Sequence, residues 1–146
     1  MSFGDQLQAF ETKTEKAGHD VVRLLVLEIG RRVVFRTQVG DTKYWKTAYP
    51  PKGYVGGRAR ANWQHSLSGV TKEVSKPEPR GKSTFEVMHS SIPRKAAVKI
   101  HLITNNRPYI KPLEYGHSGQ APNGMVGLTL AELDEIIRYA ARGAKR

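Results

Sequence analysis

The sequence predicts a single α+β domain, residues 1–146. It has a long N-terminal helix, an antiparallel sheet of three or four strands, a short helix and a C-terminal amphipathic helix. Three patterns carry that expectation. Near the N-terminus, apolar residues recur at alternating steps of four and three, which is one stripe of a helix. In the middle, apolar and polar residues alternate, as half-buried strands require. Towards the C-terminus, Thr129 followed by Glu132 reads as a capping box that opens a second helical pattern.

The first stripe is Phe3, Leu7, Phe10, Thr14, Ala17, Val21 and Leu24. Beyond it, V-V-R-L-L-V-L-E-I-G-R-R-V-V-F is apolar on more than one side, so the helix enters the core and continues to about Phe35. Gly30 costs on the order of 1 kcal/mol against alanine in a helix interior, which makes it a place for a bend or an end. The stripe reads as core packing; barely three heptads is short for a coiled-coil seam with another copy.

Periodicity is lost from Thr37 to Gly57, where T-A-Y-P-P-K-G-Y-V-G-G is rich in turn residues. Loops this long in a compact domain are functional or disordered, and Tyr44, Trp45, Tyr49 and Tyr54 argue that this one packs against something. A strand follows in R-A-R-A-N-W-Q-H-S-L, with Ala59, Ala61, Trp63 and His65 on one face. A polar connector over 69–83 leads to a second strand at T-F-E-V-M-H-S. A third lies in A-A-V-K-I-H-L-I-T, where Val98, Ile100 and Leu102 alternate with Lys99, His101 and Ile103. Pro108 suits the first turn of a short helix in Y-I-K-P-L-E-Y, and Gly116 ends it. In the last helix Leu130, Leu133, Ile136, Ile137 and Ala140 form the expected buried stripe.

The chain has no cysteine, so disulfides and thiolate metal sites are excluded and the fold rests on packing. No basic-then-apolar leader opens the sequence and no run approaches about 20 apolar residues, so a soluble, non-secreted protein is expected. The net charge of +11 is uneven. Residues 1–51 carry eight Lys or Arg against six Asp or Glu (+2), 52–111 twelve against three (+9), and 112–146 four against four. A basic centre meets an acidic protein surface, nucleic acid or solvent.

Catalysis finds little support. No two of the five histidines stand at a metal-ligand spacing such as H-x-x-x-H, and no metal or other cofactor is indicated. The segment E-Y-G-H-S gathers Glu114, Tyr115, His117 and Ser118, but G-H-S-G-Q matches only half of a nucleophile elbow, with Gln120 in place of the second glycine. V-G-G-R-A-R lacks the spacing of a phosphate loop and is expected to open a strand. Arg58, Arg60 and Trp63 could serve nucleic acid, arginine on phosphate and indole on a base. Trp63 shares its face with Ala59 and Ala61, however, and reads as a core residue.

Two segments together are recognisable. V-V-F-R-T-Q-V-G-D-T-K-Y-W-K runs into P-P-K-G-Y-V-G-G-R-A-R-A-N-W-Q. Later N-N-R-P-Y-I-K-P-L-E-Y-G-H-S-G-Q-A-P-N-G-M-V precedes the closing helix. In this order the chain resembles the tail-completion and neck (head-tail joining) proteins of long-tailed bacteriophages, over most of its length. Gly57, Arg58, Arg60, Asn62 and Trp63 match the first motif. Tyr109, Leu113, Glu114, Tyr115 and Gly116 match the second. The aromatic, proline-containing insertion between Thr42 and Gly57 departs from the family pattern.

The resemblance implies a structural, non-enzymatic virion subunit, assembled in the host cytoplasm into a ring, commonly hexameric, around the DNA channel. Its partners would be copies of itself and neighbouring connector, tail-terminator or tail-tube proteins. The alternative is a basic nucleic-acid-binding module. Aromatic and arginine side chains on loops are the types that dominate protein interfaces. The docking candidates are accordingly Tyr44, Trp45, Tyr54, Arg58, Arg60, Tyr109, Glu114, Tyr115 and His117. Glu114 has two readings: it holds its turn in shape through backbone or an arginine, or it contacts the next subunit.

Overall fold

The computed structural model describes residues 2–44, 51–69, 71–116, 120 and 123–144, with the backbone alone at Tyr44 and Val98. Helix α1, Phe3–Arg36, is the long N-terminal helix expected. A capping box starts it: Ser2 Oγ accepts from the Asp5 N–H at 3.1 Å, and Asp5 Oδ2 accepts from the Ser2 N–H at 2.9 Å. It passes through Gly18 and Gly30 without ending. At Gly30 the missing side chain makes room for Met88, whose sulfur occupies the place a Cβ would take. Thr37 closes the helix, its hydroxyl donating to the Val33 carbonyl at 2.7 Å.

The remaining elements are α2 Arg58–Ala61, β1 Trp63–Ser66, α3 Lys82–Ser91, β2 Leu102–Asn105, α4 Ile110–Glu114, α5 Val126–Ala131 and α6 Leu133–Ala144, with single 3₁₀ turns at Thr42–Tyr44 and Ala96–Val98. Strands β1 and β2 pair antiparallel, Trp63 opposite Asn105 and His65 opposite Ile103. The sheet therefore has two strands among the described residues, not three or four.

Each missing strand has a physical cause. R-A-R-A is helical because Gly57, at φ +107°, turns the chain into a short α2 and leaves only W-Q-H-S extended. T-F-E-V-M-H-S belongs to α3. Phe85, Met88 and Ile92 recur at steps of three and four, and this helical period wins over the short alternation. The Glu78 carboxylate accepts from the Arg80 and Ser83 N–H groups at the start of α3, at 3.1 and 3.3 Å. The third expected strand is cut back to Leu102–Asn105, because Ala96–Val98 takes a 3₁₀ turn and Ile100 is 78 % exposed.

The C-terminal helix is present, but its expected capping box is not. Thr129 lies inside α5 with its hydroxyl on the Met125 carbonyl at 2.8 Å, and Glu132 stands at the α5–α6 break. From there its carboxylate reaches Arg32 and Arg36 of α1, the latter at 2.5 Å. Glu28, buried on α1, binds Arg31 and Arg32 at 2.6 and 2.9 Å. Of the expected stripe, Ile136 and Ala140 are fully buried, whereas Leu130 and Ile137 are exposed.

The core follows the second half of α1. One cluster joins Val33, Val34, Trp63, Met88 and Met125; the other joins Val26, Leu27, Ile92 and Ala96. Core packing does not extend to the first half of the helix. Every residue from 2 to 16 is exposed, the stripe residues Phe3, Leu7 and Phe10 included.

Candidate docking surface

Most residues of the two sequence motifs hold the fold together. Trp63 is buried and donates its indole N–H to Thr37 Oγ1 at 2.6 Å, so it is the core tryptophan expected. Asn62, without exposure, satisfies both ends of its amide: it donates to the Arg58 and Val74 carbonyls at 2.7 and 2.8 Å and accepts from the Val74 N–H at 2.7 Å. Gly57 packs against the Pro79 backbone, where a Cβ would clash. Arg60 turns inward. Its guanidinium donates to the carbonyls of Thr37 (2.9 and 2.8 Å) and Pro79 (2.7 Å), binding the carbonyl end of α1 to the 78–81 turn. Burial holds its pKa below the usual guanidinium range.

Glu114 takes the first of its two readings. Its carboxylate accepts from the N–H groups of Met125, Val126 and Gly127 at 2.8, 2.8 and 2.7 Å, which are donors at the start of α5. Burial alone would raise its pKa, but three backbone hydrogen bonds outweigh it and hold the carboxyl below the ordinary value. Gly124, at φ +72°, brings its backbone against Glu114 where a Cβ has no space.

Subtracting these structural roles leaves a small set facing outward. Tyr54, Arg58 and Tyr109 meet around one pocket of about 400 Å³, with Gln38, Arg107 and Gln120. Gly57 and α2 present Arg58; the turn into α4 presents Tyr109. Gln120 ties the opposite wall together, donating to the Val39 carbonyl at 3.0 Å and accepting from the Asp41 N–H at 3.2 Å. Gly40 leaves the space into which the Tyr54 hydroxyl reaches. Arg107 was not among the sequence candidates. Its guanidinium lies 4.9 Å from the Tyr109 ring centre, and it pairs with Glu73. The signal was the R-P-Y order itself, arginine and tyrosine two apart across a proline. Among the described lining residues the polar groups are two guanidiniums, two phenols and two amides, and the Arg107 guanidinium is already paired with the Glu73 carboxylate. Such a lining suits a carboxylate or carbonyl oxygen.

Tyr115, at 76 % exposure, stands on the surface one residue beyond α4. Tyr44 closes the 3₁₀ turn before the insertion. Trp45, His117 and Ser118 lie outside the described residues. Among the described residues no His, Asp or Glu cluster suited to a metal ion occurs.

A different histidine set is joined. Ser91 Oγ stands 2.7 Å from His65 Nδ1, His65 Nε2 2.8 Å from His101 Nδ1, and His101 Nε2 2.8 Å from the Ala96 carbonyl. The Ala96 carbonyl only accepts, so His101 Nε2 donates to it; the Met88 carbonyl, 2.7 Å from Ser91 Oγ, and His65 Nδ1 compete for the single hydroxyl proton of Ser91. Burial first, and the neighbouring His101 second, lower the His65 pKa.

Comparison with protein-family models, with characterised proteins and with solved structures finds no match.

Proposed function

We propose that this chain is a non-catalytic structural subunit of a bacteriophage neck, a tail-completion protein that finishes the tail end and joins it to the head connector. It works by docking. Copies assemble into a ring, hexameric in this reading, and each copy engages a connector, tail-terminator or tail-tube neighbour. The reading begins from the resemblance of the two motifs. The observation that carries it is the pocket of Tyr54, Arg58, Arg107 and Tyr109: residue types that dominate protein interfaces, brought together from three separate stretches of the chain.

The basic middle of the chain faces an acidic neighbour, or passing DNA without gripping it. A channel through which DNA slides works against tight phosphate contacts. No described helix is long and apolar enough to cross a membrane, and placement in the virion follows from the proposed role. Deletion of the gene from the encoding phage tests the proposal: particles should carry unfinished tails or none attached. Normal infectious particles would contradict it. If instead the purified protein binds duplex DNA, with affinity falling at about 0.9 log units per log unit of salt for each phosphate neutralised, the nucleic-acid alternative takes its place.

A further inference from the structure

The first four turns of α1, through Lys16, are exposed at every residue. Phe3, Leu7 and Phe10 are 78, 56 and 68 % exposed. They share one face at steps of four and three. Large apolar side chains exposed in a row, unlike single ones, mark a contact surface.

Farther along, α1 runs beside the C-terminal end of α6. An open groove of about 810 Å³ lies between them, with an apolar floor of Ala17, Val21, Leu24, Ala141 and Ala144. Lys13, Lys16, Arg23 and Asp20 line it too, three positive charges against one negative, or +2. The arm has the opposite balance: residues 2–12 hold Asp5 and Glu11 and no Lys or Arg, or −2. Large side chains on the arm also match small ones on the floor. One chain cannot bring the two together. They lie on one continuous helix, with Phe3 and Ala17 separated by roughly 21 Å of helical rise.

We propose that the N-terminal arm of α1 docks in the α1–α6 groove of a second copy of this chain. Because arm and groove share a helix, an antiparallel pair of α1 helices fills both grooves at once. The contact is isologous, so this interface by itself joins copies in pairs. Antiparallel alignment also sets opposite helix-dipole ends side by side. This pairing is independent of the pocket at Arg58 and of the neck reading.

The absence of cysteine allows a direct test. Leu7→Cys and Ala17→Cys variants are mixed under mild oxidation, and the covalent heterodimer is identified by mass spectrometry. Leu7→Cys mixed with Val87→Cys, exposed on α3, is the control. The expected result is a Leu7→Cys/Ala17→Cys heterodimer well above the control. In parallel, the native mass of the wild type should be a dimer's, and the Leu7→Asp/Phe10→Asp variant should be monomeric with an unchanged far-UV spectrum. Cross-linking no greater than the control, a monomeric wild type, or a dimer that survives the double substitution each overturns the proposal.

Discussion

Glu114 and Val126 are bound through a carboxylate oxygen and a backbone N–H at 2.8 Å, with Met125 and Gly127 donating to the same carboxylate. The last turn of α4 thus caps the start of α5. Glu114→Gln keeps the shape but removes the charge, and it should cost about 1–2 kcal/mol of stability, read by urea denaturation. The pH dependence follows in sign. The folded pKa is lowered, so this contribution is complete above the unfolded value and disappears as pH falls through the folded one. The Gln variant should lose less stability on acidification than the wild type. An unchanged denaturation midpoint would show that the three N–H groups are served equally by water.

Gly30→Ala sets two effects against each other. Helix propensity favours alanine by about 1 kcal/mol. A Cβ at this position meets the sulfur of Met88, which is 1 % exposed and has little room to move. Overpacking of about 1–3 kcal/mol should win, giving a net loss. The companion change Met88→Ala, which empties the space, should make Gly30→Ala favourable in that background. Calorimetry of the four proteins checks the reversal.

Arg58 and Arg60 are two residues apart and should behave oppositely. Arg60→Ala removes hydrogen bonds to buried-side carbonyls at the end of α1 and should cost about 1.5–3 kcal/mol. Arg60→Lys should recover only part of that, since an ammonium cannot reproduce the fork across Thr37 and Pro79. Arg58→Ala, on the pocket wall, should stay within about 0.5 kcal/mol of the wild type. Its effect belongs in docking. Equal losses at both positions would contradict the division of roles.

The His65–His101 contact should make the fold sensitive to mild acid. Burial and the second ring keep the folded pKa of His65 below its usual 6.5. The stability it contributes is therefore full above that value and falls as pH drops through the lower folded value, at most about 1.4 kcal/mol per pH unit for one group. His65→Gln should flatten the midpoint-against-pH curve in that window. A curve that keeps its slope would place the sensitive group elsewhere.

Much of the helical frame was legible from residue spacing, whereas the sheet was not. The stripe from Phe3 to Leu24 and the apolar run after it gave α1 its length, and Gly116 gave α4 its end. Alternation misled at T-F-E-V-M-H-S because a few residues fit both periods; only Ile92, outside the window, completes the helical one. Thr129 and Glu132 had capping-box spacing, but Glu132 satisfies two arginines about a hundred residues away in sequence, a partnership no local pattern displays. Of the candidate residues, Tyr54, Arg58 and Tyr109 line one pocket, a juxtaposition made by the fold and displayed by no local pattern. Arg60 and Glu114 looked the same on paper and are held by backbone groups, since the sequence does not state which carbonyls or N–H groups a fold leaves unpaired.

The most direct test of the docking role is cryo-electron microscopy of the assembled phage particle, with this chain located in the density. The expected result is a ring of copies at the junction of head and tail, with the pocket of Arg58, Arg107 and Tyr109 occupied by a segment of a protein neighbour. A particle that lacks the chain, or a ring in which that pocket faces open solvent in every copy, would contradict it.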